Sequence, residues 1–461
     1  MQKQFKKALF IFRRDFRLED NTGLIFSLQH AETVIPAFIF TPEQIEHNAY
    51  RSEHCLKFML ESLEDLDNQL KEKGSNLYLF RGKPEEVVAH CLLELGIDAL
   101  IINQDYTPYS KERDKKLENL CKSHCIAFRS FDDALLHPPE ETLKSDGQSY
   151  SIFTPYFRNA SKLEISPPVS NTAINYHHGS IAFAENPSLL SEMLSKQKTI
   201  KNTLVGGRTE ALKILKKLSS FSQYELLRDF PSEDYSTHLS AYLKFTVCSA
   251  REVYAAICRQ QSPHHDLIRA LYWRDFFTGI AFSFPHVFTG AFHQKFDKLE
   301  WSNDKKVFQK WCDGVTGFPI VDAGMREMNQ TGFMHNRVRM LVASFLVKDL
   351  HIDWRWGEKY FAQTLVDYDP AVNNGNWQWA ASTGCDAQPY FRIFNPWNQQ
   401  KKFDVDCVYI KKWVPELKDL SPKTIHEWYD GKHHYAHVKY PVPIVDHAVE
   451  SKEALEAYRA I

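Results

Sequence analysis

Five short apolar runs in the first 131 residues constrain this chain more than any other feature: ALFIF at 8–12, VIPAFIF at 34–40, NLYLF at 76–80, ALIIN at 99–103 and IAFRSF at 126–131. Each is five to seven residues long and mostly apolar, and has the length of a strand in a covered sheet. Between them lie CLKFMLESLEDLDNQLKEKG and PEEVVAHCLLELG, whose apolar residues recur at helical spacing. Strands that alternate with helices predict a doubly wound α/β domain with a parallel sheet over residues 1–131. No GxGxxG follows any of these strands, so the usual dinucleotide fingerprint is missing and the fold alone names no activity.

Periodicity then stops. From Leu136 to Asn202 the chain reads HPPEE, SDGQS, ISPPVSN and YHHGS, which predicts a long surface connector over 132–203. After Val205-Gly206-Gly207 the helical pattern returns and stays, in RTEALKILKKLSSF, AREVYAAICRQ, HDLIRALYWRDFFTGIAF and RMLVASFLVKDL. A mostly α-helical second domain is expected over 204–461.

Charge excludes one simple partner argument. Lys and Arg total 56 against 58 Asp and Glu, a net charge of -2, so no global field draws nucleic acid and phosphate binding needs a local basic patch. The nine cysteines show no repeated CxxC spacing, which indicates neither a disulfide framework nor a zinc site; no metal is expected, and Cys121 and Cys125 read as buried free thiols. The apolar run in MQKQFKKALFIF ends at Arg13-Arg14, short of a signal peptide, and no run is long enough to span a bilayer. These readings predict a soluble, cytoplasmic chain with no membrane association.

Function is concentrated between Gly317 and Trp397, where Trp354, Trp356, Trp377, Trp379 and Trp397 stand among Asn, Asp, Arg and Gln. An ordinary helical core keeps amides out, because each buried amide needs a partner. Asp369-Pro370 predicts a helix over Pro370–Ser382, with Asp369 as N-cap and Pro370 at the first helical position. Gly375 weakens that helix slightly. On it Asn373 and Trp377 share a face, while Trp379 points elsewhere. In the same way Asn336 and Met340 share a face, with Arg337 beside them and Arg339 on another side. The plainer reading of these residues is an aromatic-rich pair of core helices.

The pieces YWRDFF at 272–277, GFPIVDAGMREM, MHNRVRM, FLVKDLHIDWRWGEKYF, NNGNWQWAASTG and YFRIFNPW resemble the catalytic domain of the photolyase/cryptochrome family. Within it they resemble microbial class I cyclobutane pyrimidine dimer photolyases, and the likeness runs from the first strand to YPVPIVDH. It implies an α/β N-terminal domain joined through the connector to a helical FAD-binding domain, and light-dependent repair of pyrimidine dimers in DNA. A monomer without an obligate protein partner is expected.

By that resemblance Tyr224, Ser236, Thr237, His238, Leu239 and Ser240 hold the diphosphate region of a noncovalent FAD, with Arg274 nearby. The family more often has Arg at His238. Taken alone, Ser236-Thr237 reads as a simple helix N-cap. The resemblance places Asn373 against the reactive flavin nitrogen, where its amide can accept or donate as the redox state demands. It pairs Arg339 with Asp367 beside the ring and assigns Tyr368, Asp369 and Asn336 to the cofactor site. Trp377, Trp354 and Trp301 match the family's tryptophan chain, which photoreduces FAD. Trp273, Asn336, Arg337, Met340 and Trp379 match its substrate pocket. Apart from that likeness, DNA-backbone binding is expected from a local set such as Arg337, Arg392, Lys401 and Lys402. Met340 and Asn336 stand where (6-4) photolyases carry His, which argues against (6-4) repair.

Two departures matter. The family's usual Glu, one turn before Trp273, is Ala270 here, which predicts less efficient repair. Where folate-binding relatives often show Asn-Glu, this chain has Tyr109-Ser110; the antenna site is left open to a deazaflavin, another flavin, a folate, or nothing. The alternative function is a cryptochrome-like blue-light photoreceptor without repair activity. Ala270 favours it, and the short run of chain after YPVPIVDH, without a long polar tail, speaks against it.

Overall fold

The computed structural model describes residues 3–46, 48–431 and 438–461. Five parallel strands, β1 (Phe5–Phe12), β2 (Ala31–Phe40), β3 (Tyr78–Arg81), β4 (Ala99–Asn103) and β5 (Ala127–Phe131), lie in the order β3-β2-β1-β4-β5. The register sets Ala8 of β1 beside Val34 of β2 and Ala99 of β4. All five runs seen in the sequence are strands. Alternation along β1 explains the double winding: Ala8, Phe10 and Phe12 enter one apolar cluster, while Leu9 and Ile11 enter another on the opposite face.

The first cluster is not confined to the sheet. Phe10, Phe12, Phe38 and Phe58 share it with Leu239, Tyr242, Phe245, Phe276 and Phe277 from the helical part of the chain. Phe16 and Phe245 stack at 5.5 Å, and the Phe16 N–H donates to the Phe245 carbonyl at 3.1 Å.

The connector is more structured than its composition predicts. It contains helices Phe153–Ala160 and Leu189–Lys196 and bridges to β2 through Val34 and Tyr176. Phe153, Tyr156, Ala160 and Tyr176 are buried. Three of these fall at helical spacing, but the run is a single short helix between turn residues, too brief for a period to register. Cys121 is buried as expected; Cys125 is exposed, because it sits in a left-handed turn after the Pro108–Ser123 helix. No helix among the described residues is long and apolar enough to cross a membrane.

Candidate active site

The Pro370–Ala380 helix begins as the sequence predicts and ends two residues earlier. Asp369 accepts at Oδ1 from the Ala371 and Val372 N–H groups, at 3.1 and 3.2 Å. Its Oδ2 takes a 2.6 Å bond from Arg14, which comes from the loop after β1. Burial would raise the Asp369 carboxyl, but Arg14, Lys244 and Arg274 outweigh it and hold the group well below the usual carboxylate range. Arg14 also donates to the Lys244 carbonyl at 3.1 Å. Its position at the carboxyl end of a central parallel strand, where open α/β sheets receive ligands, is the signal that sequence reading missed.

Asn373 is buried, and its Nδ2 lies 3.0 Å from both the backbone carbonyl and a carboxylate oxygen of Glu358. The amide is therefore held with its nitrogen toward Glu358 and its oxygen left as an acceptor. Free rotation, as the sequence reading has it, would break two bonds. Burial pushes Glu358 up to about 7, with the Asn373 bond opposing. Tyr368 stacks loosely on Tyr50, at 6.3 Å. Arg339 and Asp367 form a two-point ion pair at 3.1 and 3.0 Å, and Arg339 Nε donates to the Met334 carbonyl at 2.7 Å.

Ser236 and Thr237 do not cap the short Leu239–Lys244 helix. Its N-cap is His238, in left-handed backbone at φ 53°, with no side-chain capping bond. The hydroxyls make only long contacts to the His238 and Leu239 N–H groups, 3.5 and 3.4 Å. The simple N-cap reading thus fails, because the turn at His238 carries the chain past it. His238 instead bonds Asp234 at 2.9 Å. Leu239 is buried, Ser240 exposed and Tyr224 half-buried.

Trp377 and Trp354 are buried, at 2% and 3% exposure, and Trp301 is half-buried against the same apolar cluster. Gly357 makes room for the first: a Cβ there would lie 2.1 Å from the Trp377 ring. Gly375 has the same kind of cause, since a Cβ would meet the Phe277 ring at 2.2 Å, which accounts for a glycine inside a helix. Trp311, absent from the sequence reading, packs edge-on to Trp377 at 6.2 Å.

On the outer side, Trp273 and Trp379 are half-buried and Asn336 is exposed, its Nδ2 3.9 Å from Met340 Sδ. His335 starts that helix as a neutral cap, accepting from the Arg337 N–H at 3.2 Å; burial lowers its pKa to about 4. Arg337 is engaged already, by Asp229 at 2.6 Å and across the Phe403 ring at 4.5 Å. Arg392, Lys401 and Lys402 are exposed, as is Phe391 at 60% beside them. Ala270 is exposed on the helix that carries Trp273 and Arg274. At the folate-type position, Thr107 caps the Pro108–Ser123 helix by accepting from the Ser110 N–H at 3.2 Å, as an ordinary strand-to-helix loop does.

The donor set suits a flavin dinucleotide. It offers a buried amide oxygen fixed in direction, a paired guanidinium, hydroxyls uncommitted to capping, and an aromatic surround. Residues 267–460 match the FAD binding domain of DNA photolyase, and residues 8–172 match DNA photolyase. The chain is 35% identical to a deoxyribodipyrimidine photo-lyase of Alkalihalophilus pseudofirmus, with 97% of each chain covered. Among solved structures it is similar to an archaeal photolyase from Sulfolobus tokodaii with two FAD molecules, at 42% identity and TM-score 0.89, covering 99% of this chain and 100% of that one. It is also similar to a bacterial class III photolyase from Agrobacterium tumefaciens, at 34% identity and TM-score 0.89, covering 100% and 98%. This chain belongs to the DNA photolyase family.

Proposed function

We propose that this protein is a deoxyribodipyrimidine photolyase that repairs cyclobutane pyrimidine dimers in DNA under light, with FAD as cofactor. The observation that carries this reading is one helix serving two sides: Asn373 faces inward, held by Glu358, and Trp379 stands half-buried six residues on. The chemistry FAD supplies when bound in its reduced form is light-driven transfer of one electron to the dimer, whose ring then splits and returns the electron.

The remaining work belongs to the chain. Asn373, Arg339, Asp367, Tyr368 and Asp369 hold the ring end of the cofactor, and Tyr224, Ser236, Thr237, His238, Leu239 and Ser240 its diphosphate end, with Arg274 beside Asp369. Photolyases act on a base taken out of the stack. Trp273 and Trp379 then offer flat walls to the two linked bases, and Asn336, Arg337 and Met340 complete the pocket. Trp377, Trp354 and Trp301 carry an oxidising equivalent outward during cofactor photoreduction. Arg392, Lys401 and Lys402 bind backbone phosphates.

Ala270 favours the sensor reading, since no carboxyl stands one turn before Trp273. Full-length likeness to photolyases favours repair. A cytoplasmic, monomeric enzyme fits the composition. The neighbour with two FAD molecules supports a second, light-harvesting chromophore in this chain as well. Illumination of the reduced protein with a dimer-containing oligonucleotide tests the function: restored thymines are expected, and bleached flavin without repair would favour the sensor.

A further inference from the structure

Trp273 has a partner that its own helix does not supply. Phe153, the first residue of the connector helix, lies 3.7 Å from it, centroid to centroid, with the rings 6° from parallel. Phe153 is 1% exposed, so one face of the indole is closed by a buried ring while the residue as a whole stays half-buried. Phe276 meets the same indole edge-on at 5.7 Å, and Phe277 lies tilted at 5.5 Å. Arg269, one turn before Trp273, sets its guanidinium 5.2 Å from the Phe153 ring.

The stack is anchored from a distant part of the chain. No side chain of its own segment caps the Phe153–Ala160 helix. The Phe153 N–H lies near enough to Asp386 to pull its carboxyl down against the rise that burial imposes. Two residues on, the Gln388 N–H donates to the Trp379 carbonyl at 3.2 Å. One short loop therefore touches both the helix that backs Trp273 and the helix that carries Trp379.

We propose that Phe153 is a positioning residue for Trp273, and that the connector helix forms the back of the lesion pocket. This rests on the reading of Trp273 as a wall of that pocket. An indole already fixed in plane meets an extruded base without a further ordering cost, whereas an unbacked indole must be ordered by the base itself. Leucine at 153 keeps the apolar volume and removes the parallel ring.

The test measures dark binding of a dimer-containing oligonucleotide and of its undamaged counterpart to the flavin-loaded protein, for wild type, Phe153→Leu, Trp273→Leu and the double variant. Flavin content and the photoreduction rate report on the fold. Expected is a loss of about three- to tenfold in dimer affinity for Phe153→Leu, the size of an aromatic pair. Undamaged-strand affinity, flavin content and photoreduction should be unchanged, and Phe153→Leu should cost nothing more once Trp273 is gone. Unchanged dimer affinity in Phe153→Leu beside a loss in Trp273→Leu overturns the role of Phe153 and leaves the pocket standing. No loss in Trp273→Leu overturns the pocket reading itself. A Phe153→Leu loss that persists in full without Trp273 shows an effect by another route and also overturns the proposal. Should Phe153→Leu not retain flavin, Phe153→Met carries the same comparison.

Discussion

The Asn373 amide nitrogen donates twice to Glu358, to its backbone carbonyl and to its carboxylate, at 3.0 Å each. Glu358 thereby decides which end of the amide is left free, and on the proposed function that end faces the flavin. A neutral Glu358 carries a proton of its own and is able to donate to the amide oxygen, so the reversed orientation becomes available only when the carboxyl is protonated.

Because burial raises Glu358 to about 7, the folded protein binds a proton here that the unfolded chain has released. Its contribution to stability is present below the unfolded carboxyl range and is lost as pH rises from about 4.5 to about 7, by up to about 1.4 kcal/mol per pH unit. Glu358→Gln should flatten that part of the stability profile. It should also remove a transition near pH 7 from the flavin absorption spectrum; denaturant melts and a spectral titration of both proteins check this.

Asp369 pairs with Arg14 and caps its helix with the other oxygen, so the two roles separate by substitution. Asp369→Asn keeps the cap and leaves Arg14 with Asp105 at 3.4 Å and the Lys244 carbonyl at 3.1 Å; a cost of about 1.5–3 kcal/mol is expected, as for a lost charge-assisted hydrogen bond. The held-down carboxyl also contributes stability that is present above the unfolded Asp range and drains away as pH falls below it. Urea melts of Asp369→Asn, Arg14→Met and the double variant should show the double costing less than the sum.

DNA affinity should fall steeply with salt despite the near-neutral chain. Alanine at Arg392, Lys401 or Lys402 should each reduce the log–log slope by about 0.9. Asp229→Asn, which releases Arg337, should strengthen binding and steepen the slope. Anisotropy titrations at several salt concentrations measure all four, and a slope near zero in the parent would exclude the patch.

Ala270→Glu restores a carboxyl at an exposed position one turn before Trp273. A hydrogen bond to a charged species is worth roughly 1.5–3 kcal/mol, so repair quantum yield should rise with dimer affinity changing less. An unchanged yield sinks the account of Ala270 given above.

Local pattern made some of this visible and hid the rest. Strand runs, the Asp369 cap and the shared face of Asn373 and Trp377 depend on neighbours within a turn or two, and they are where the residues predict. Arg14 and Asp369 are 355 positions apart, and nothing near either one names the other. Glu358 sits in DWRWGEKYF like any helix carboxyl; only packing against the next helix turns it inward. Phe153 escaped notice for the same reason, because its partners come from the Asp266–Ser283 helix and from Asp386. The Ser236-Thr237 cap failed on backbone geometry, where His238 takes a positive φ that no residue preference foretold.

The apolar cluster that joins Phe10 and Phe38 of the sheet to Phe245 and Phe277 of the helices leaves no hinge between the two halves. Opening them like a clam shell would expose that interior to water. On the proposed function, the distortion that brings a flipped base to Trp273 and Trp379 therefore falls on the nucleic acid and not on the protein.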